Sequence, residues 1–187
     1  MPSQSVWRSA AVWVAALGYF VDIYDLLLFS IVRVPSLDDL GVANSFESGL
    51  LIINVQMFGL MLGGILWGVL GDRLGRTRVL FLSILIYSAG NLANGFVQNE
   101  LQYAIVRFLA GIGLAGELGA GITLVSELLP AAKRGIGTSL VAGIGLLGAV
   151  AAFFVAQAVE WRTAYFIGGG MGLSLLLLRL KVLDSGL

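Results

Sequence analysis

The chain has 187 residues, of which 58% are hydrophobic and only 12% are charged, and its formal net charge is zero. This composition excludes an ordinary soluble domain and is typical of a membrane protein, while the balanced charge excludes a polybasic surface for nucleic acid. The sequence lacks cysteine and histidine, which excludes disulfides, thiolate or imidazole metal sites and histidine acid–base chemistry, so we expect no cofactor and no metal.

Six apolar runs follow one another along the sequence. A hydrocarbon layer of about 30 Å is crossed by about 20 mostly apolar helical residues. We therefore predict an all-α membrane protein, a single domain over residues 1–187, with helices at about 10–32, 49–71, 78–98, 101–128, 135–158 and 163–181. The first run is too long, and too polar at its centre, for a cleaved signal peptide.

Helix 1 contains two carboxylates, Asp22 and Asp25, inside apolar sequence. Each charge at bilayer depth costs about 2.5 to 3.5 kcal/mol on the insertion scale, so compensating partners are expected. At a rise of about 1.5 Å per residue, Asp25 lies at the level of Arg107 in helix 4, and Asp22 lies at the level of Glu117. The sequence thus predicts Arg107 as the companion of Asp25.

Glycines recur at helix-packing spacing in three of the predicted helices. In lipid, small residues let helix backbones approach closely, and we expect most of these glycines to lie at helix contacts. They are Gly59, Gly63, Gly64 and Gly68 in helix 2, Gly111, Gly113, Gly116, Gly119 and Gly121 in helix 4, and Gly143, Gly145 and Gly148 in helix 5.

The basic residues divide unequally between the two faces of the membrane. If the six segments alternate in direction, only Arg33 and Arg162 fall on one side, and Arg107 lies within helix 4. The other side carries Arg8, Arg73, Arg76, Arg78, Lys133, Arg134, Arg179 and Lys181. The positive-inside rule then predicts that both termini are cytoplasmic.

The connection between helices 2 and 3 reads GVLGDRLGRTR over residues 68–78. Gly71 and Gly75 permit a tight reversal, and Asp72 can pair with the neighbouring arginines. This stretch resembles the loop signature of the major facilitator superfamily. Helix 4 and the loop after it, with Arg107 to Gly113, Gly116-Glu117, Ser126 to Pro130 and Arg134-Gly135, look most like the bacterial metabolite:proton symporters of that superfamily.

The resemblance implies a solute carrier of the bacterial inner membrane that works by alternating access, with helices 1 and 4 lining its cavity. Helix 5 lacks the Gly-Pro signature of the family's antiporters, which favours symport or uniport. The family has twelve helices in two halves, and this chain corresponds to the first half. It is therefore a natural half-transporter, the partner of a separate second half, or a truncation, and a parallel homodimer would rebuild the architecture.

We hypothesise that Arg107 receives an anionic solute while at least one of Asp22, Asp25 and Glu117 takes a proton. Arginine stays charged and binds a carboxylate through two parallel hydrogen bonds, whereas burial favours the protonated form of an acid. Tyr19 and Gln56 are further candidates for solute contact. The alternatives are a purely structural ion pair between Asp25 and Arg107, and a Glu117 that caps a neighbouring helix.

A second predicted set lies at the cytoplasmic side. The resemblance implies a charge network that latches the outward-facing state, and the alternative is a group of solvated surface pairs of little energetic value. Its members are Gly68, Asp72, Arg73, Gly75, Arg76, Glu127 and Arg134.

Other functions remain open at this stage: a sugar porter of the same superfamily, or a non-transporting half that needs a second six-helix half. An intramembrane aspartyl protease is disfavoured, because its two acids must face each other from different helices, whereas Asp22 and Asp25 share one helix. The expected partners are a small solute, protons and the lipid bilayer.

Overall fold

The computed structural model describes residues 10–184, apart from the side chains of residues 10–11, 76–77, 118–128 and 182–184. Six α-helices account for nearly all of the described residues, which confirms the predicted all-α class. They are α1 (Ala10–Asp39), α2 (Ser45–Leu74), α3 (Arg76–Asn94), α4 (Glu100–Leu128), α5 (Ala131–Ala158) and α6 (Trp161–Asp184).

The connection between α1 and α2 is shorter than the sequence predicted. We expected helix 1 to end near residue 32 and a long connection from Pro35 to Ser48, but α1 continues through Pro35 to Asp39. Proline removes one backbone donor, yet the turn after it is held by tertiary contacts. Leu37 is fully buried, and the Ser36 hydroxyl lies 3.2 Å from the hydroxyl of Tyr103. Packing therefore outweighs the local preference for a helix end.

Four helices are long and apolar enough to cross a membrane: the stretches Val12–Asp39, Ser45–Leu74, Ala131–Ala158 and Trp161–Lys181. Helix α3 and the described part of α4 fall short of that criterion, although we predicted six spans. The described side chains of α3 cover only residues 78–94, and those of α4 include three charged residues, Glu100, Arg107 and Glu117. In α3, Ser83, Ser88, Asn91 and Asn94 are all buried. Their polar groups lower the hydropathy of the helix but face the bundle rather than lipid.

Helices α1 and α4 occupy the centre of the bundle, since each of them contacts four of the other five helices. The most extensive contacts join α1 to α5, α2 to α4, and α3 to α4. Large apolar side chains on the outer faces of α2 and α5 are exposed, among them Phe58, Ile65, Leu146 and Phe154. The central position of α1 and α4 explains why four of the five buried charged residues in the described part of the chain lie on these two helices.

Glycines provide the closest helix contacts, as predicted for seven of them. A Cβ atom at Gly59 or Gly63 would collide with the backbone of α4, and one at Gly148 would collide with the carbonyl oxygen of Phe20 in α1. Gly111, Gly113, Gly116 and Gly145 are equally confined. The prediction was wrong for Gly64, Gly68 and Gly143, because nothing lies within 4 Å of a Cβ placed there. Gly119 and Gly121 lie outside the described side chains.

We predict that Gly148→Ala destabilises the chain, because its methyl group must displace the α1 backbone at Phe20. Overpacking of this kind costs about 1 to 3 kcal/mol. Gly143→Ala is the matched control, since it lies five residues earlier in the same helix and faces open space. Thermal unfolding of the purified chain in detergent measures both, and equal midpoints for the two variants would contradict the close contact.

Candidate functional site

A buried ion pair joins α1 to α4 at the centre of the bundle. Arg107 is fully buried and Asp25 is 1% exposed. The guanidinium Nη1 donates to Asp25 Oδ1 at 3.0 Å, and Nη2 donates to Asp25 Oδ2 at 3.2 Å. This two-pronged geometry is the strongest form of the arginine–carboxylate interaction. The pairing that the depth comparison predicted is therefore present in the structure.

Two amide side chains complete the polar surroundings of Arg107. Gln56 of α2 accepts a hydrogen bond from Arg107 Nε at 3.3 Å, and Asn91 of α3 accepts one from Nη1 at 3.4 Å. The guanidinium also lies 4.8 Å from the ring centre of Phe29 and 5.7 Å from that of Tyr165. We name Asp25, Gln56, Asn91 and Arg107 the Arg107 cluster. Because four helices supply it, the orientation of the guanidinium is fixed from several directions.

A second buried ion pair links α4 to α6. Arg179 Nη2 donates to Glu117 Oε1 at 2.5 Å, and the two side chains are only 7% and 3% exposed. The sequence pattern placed Arg179 on the cytoplasmic side and did not predict its pairing with Glu117. Both residues lie at similar distances from the starts of their helices, Glu100 for α4 and Trp161 for α6, which brings them to a similar level. Nor does Glu117 act chiefly as a backbone cap, the alternative considered for it, since its Oε1 atom pairs with Arg179.

Asp22 lies beside this second pair and is 1% exposed. Neither of its carboxyl oxygens has a hydrogen-bond partner among the described residues, and the same holds for Glu117 Oε2 and Arg179 Nη1. A Cβ atom at Gly18, one helical turn before Asp22, would collide with both Arg179 and Glu117. We name Asp22, Glu117 and Arg179 the Arg179 cluster. Three helices thus enclose two acids and one cation.

Tyr19 and the other polar side chains within the helices that are candidates for lining a cavity divide between the interior and the surface. Tyr19 is half-buried and packs against Gly145 of α5, so the structure places it at a helix contact. The Tyr24 hydroxyl donates to the carbonyl of Ala164 at 2.9 Å, which is an interhelical hydrogen bond. Asn54 and Gln157 are exposed. Only Gln56 and Asn91 of these polar candidates contact Arg107.

The predicted charge network is not assembled among the described side chains. Asp72 and Arg73 are exposed and form no ion pair with any described residue, while Arg134 Nε donates to the carbonyl of Leu129 at 3.1 Å. Gly75 has a φ of +86° and makes the reversal between α2 and α3, whereas Gly68 faces open space. The side chains of Arg76 and Glu127 lie outside the described set. The network remains a prediction.

The family of the chain follows from comparison with known proteins. The sequence model of the Major Facilitator Superfamily matches residues 12–185, which is nearly the whole chain. The chain therefore belongs to the Major Facilitator Superfamily and corresponds to its N-terminal half. Together with the apolar helices, this membership makes it an integral, multi-pass membrane protein.

Curated relatives are bacterial transport proteins. The chain is 35% identical to the niacin transporter NiaP of Acinetobacter baylyi over 161 residues, which cover 84% of this chain and 36% of that protein. It is 31% identical to the putative niacin/nicotinamide transporter NiaP of Bacillus subtilis, and the match covers 97% of this chain and 46% of that protein. It is 30% identical to the benzoate transport protein of A. baylyi, and the match covers 97% of this chain and 40% of that protein. The chain thus spans less than half the length of each relative.

Solved structures share the fold. The proton:xylose symporter XylE of E. coli, bound to 6-bromo-6-deoxy-D-glucose, superimposes with a TM-score of 0.82 at 19% identity, covering 97% of this chain and 45% of that chain. A bacterial homologue of the human lysosomal transporter Spinster gives a TM-score of 0.72 at 18% identity, with coverage of 93% and 43%. At these identities the likeness concerns the fold alone.

We predict that Asp25→Asn destabilises the chain strongly, because it leaves the buried Arg107 guanidinium without its carboxylate. Breaking one side of a buried pair costs about 3 to 5 kcal/mol. The double variant Asp25→Asn with Arg107→Gln removes both charges and is expected to regain most of that loss.

The control for this experiment is Asp39→Asn. Asp39 pairs with Arg162 at 3.3 Å, but it is 59% exposed, so the loss is about 0 to 1 kcal/mol. Thermal unfolding in detergent compares the three variants, and a double variant no more stable than Asp25→Asn would contradict the charge-pair explanation.

Proposed function

We propose that the chain forms the N-terminal six-helix half of a secondary active transporter, which moves a small anionic metabolite in symport with protons by alternating access. In this proposal all six helices cross the bacterial inner membrane and both termini are cytoplasmic. The observation that carries it is the Arg107 cluster, in which a fully buried guanidinium is held by a single carboxylate at the centre of the bundle.

The chemistry of this cluster suits the exchange of one carboxylate for another. A solute carboxylate needs the same two parallel donors that Asp25 now occupies. Protonation in this buried network weakens the hold of Asp25 on Arg107, so proton binding favours solute binding. Niacin, benzoate and sialic acid, after which relatives of the chain are named, are all carboxylic acids. Gln56 and Asn91 keep the guanidinium oriented during the exchange.

A second half completes the proposed transporter. Relatives are more than twice as long as the matched chain, so the cavity between two halves needs a continuation of the same chain, a separate six-helix partner or a parallel homodimer. The exposed apolar faces of α2 and α5 are available to lipid or to such a partner. Asp72, Arg73 and Gly75, with Gly68, Arg76, Glu127 and Arg134, then form a cytoplasmic latch against the second half.

We expect the chain, reconstituted in liposomes with an acidic exterior together with its second half or as a homodimer, to take up radiolabelled nicotinate, benzoate or sialic acid faster than at equal pH. Arg107→Lys should reduce that uptake about tenfold or more, because lysine cannot offer two parallel donors to a carboxylate. The control is Arg162→Lys, which changes an arginine that is a third exposed, at the end of the bundle where α6 begins.

Three results would contradict parts of this proposal. Uptake that is independent of the pH gradient argues against proton symport, and uptake of xylose alone favours the sugar-porter alternative. If no acid or sugar is taken up and the mass in detergent is that of one chain, the chain is an isolated half that needs its partner.

A further inference from the structure

The buried acids outnumber the buried cations. At the level of the two clusters the described interior holds three carboxyl groups, on Asp22, Asp25 and Glu117, but only two guanidinium groups, on Arg107 and Arg179. Asp25 is paired with Arg107, and Glu117 is paired with Arg179. Asp22 is the remaining acid. It is 1% exposed and has no hydrogen-bond partner for either oxygen among the described residues. An unpaired charge in such surroundings is strongly disfavoured, so the structure suits a neutral Asp22.

Arg179, the cation beside Asp22, has a hydrogen-bond donor without a partner among the described residues. Arg179 uses Nη2 to bind Glu117, while its Nη1 atom has no partner among the described residues. Both Arg179 Nη2 and Glu117 Oε1 lie against Gly18, where any Cβ atom would collide with them. Gly18 and Asp22 are four residues apart and share one face of α1. The guanidinium therefore reaches α1 about one helical turn, or ~5.4 Å, from Asp22.

We propose that Asp22 is the group that takes and releases the transported proton, and that Arg179 is the cation that binds its carboxylate after release. The inference deepens the proposed function and depends on proton coupling being part of it. Asp22 gives its proton to water, and its carboxylate pairs with Arg179 Nη1 while Nη2 keeps Glu117. The step needs no other reactant.

Charged and titratable groups surround Asp22 from several helices. Glu117 faces it from α4 and Arg179 from α6, and Asp25, which is paired with Arg107 of α4, lies one turn along α1. From α3, Tyr87 donates its hydroxyl to the carbonyl of Val21 at 3.1 Å, so it holds the backbone beside Asp22. Helix α2 contributes the Gln56 amide, which binds Arg107, and α5 contributes glycines against the neighbouring turns of α1.

This arrangement separates two roles that share one helix. Arg107 and Asp25 form the solute site, while Asp22 and Arg179 form the proton site one turn away. Glu117 is a positioning residue, because it holds Arg179 beside α1 before the proton leaves. Every guanidinium nitrogen of Arg107 already has a partner, whereas Nη1 of Arg179 has none among the described residues.

The test is infrared difference spectroscopy of the purified full chain in lipid nanodiscs, titrated with pH. The carbonyl stretch of a protonated, buried carboxyl group should be present in the wild type and disappear as the pH rises. We expect Asp22→Asn to abolish this band. The control Asp39→Asn removes an exposed carboxylate and should leave the band unchanged.

Variants of Arg179 and Glu117 should shift the titration of the Asp22 band in opposite directions. Arg179→Gln should shift the midpoint of the band to higher pH by about 1 to 3 units, because the cation that favours the carboxylate is lost. Arg179→Lys should restore most of the shift. Glu117→Gln should shift the midpoint to lower pH, since Arg179 is then free to pair with Asp22.

The inference is overturned if the band survives Asp22→Asn, or if it is abolished by Glu117→Gln or Asp25→Asn instead. Asparagine resembles a neutral aspartic acid in shape, so Asp22→Asn should unfold at a temperature close to that of the wild type, and failure to fold would also count against it. The spectroscopic result does not depend on uptake. A band assigned to Asp22 together with uptake that is independent of the pH gradient would contradict the proposed proton symport and would leave Asp22 as the buried group that titrates.

Discussion

The bundle depends on the attraction between Asp25 and Arg107, both of which are buried at its centre. Each of these charges alone carries a penalty of about 2.5 to 3.5 kcal/mol at bilayer depth, and only a partner in good geometry offsets it. The two parallel hydrogen bonds between them meet that requirement. They also fix the relative height of α1 and α4, the two helices that the others surround. Gln56 and Asn91 then tie α2 and α3 to the same guanidinium.

Much of this arrangement could be predicted from the sequence, because hydrophobicity and depth are properties that a sequence carries directly. Six apolar runs give six helices, and the constant rise per residue brings Asp25 and Arg107 to one level. The glycines of α2, α4 and α5 indicated close contacts, although spacing alone could not separate the confined Gly148 from the open Gly143. That difference depends on which face each helix turns to its neighbour.

Arg179 shows where such reasoning fails. An arginine near a helix end, followed by a lysine, has the pattern of a cytoplasmic anchor. Its burial depends on the reach of a long side chain and on the missing side chain at Gly18, and neither enters a count of charges. The end of α1 is a similar case. Pro35 predicts a helix end, but Leu37 and Ser36 make contacts that only the folded bundle provides.

Helices α1 and α5 pack closely against each other at two glycines of α5. At Gly148 the α1 backbone rests directly on the α5 backbone, and at Gly145 the Tyr19 ring fills the space that a side chain would take. Because the backbones touch at Gly148, a larger side chain there would push α1 away from α5. The opposite side of α1 is fastened to α4 by the ion pair of Asp25 with Arg107. Helix α1 is thus held by close backbone packing on one side and by a charge pair on the other, and only the charge pair responds to a change in charge.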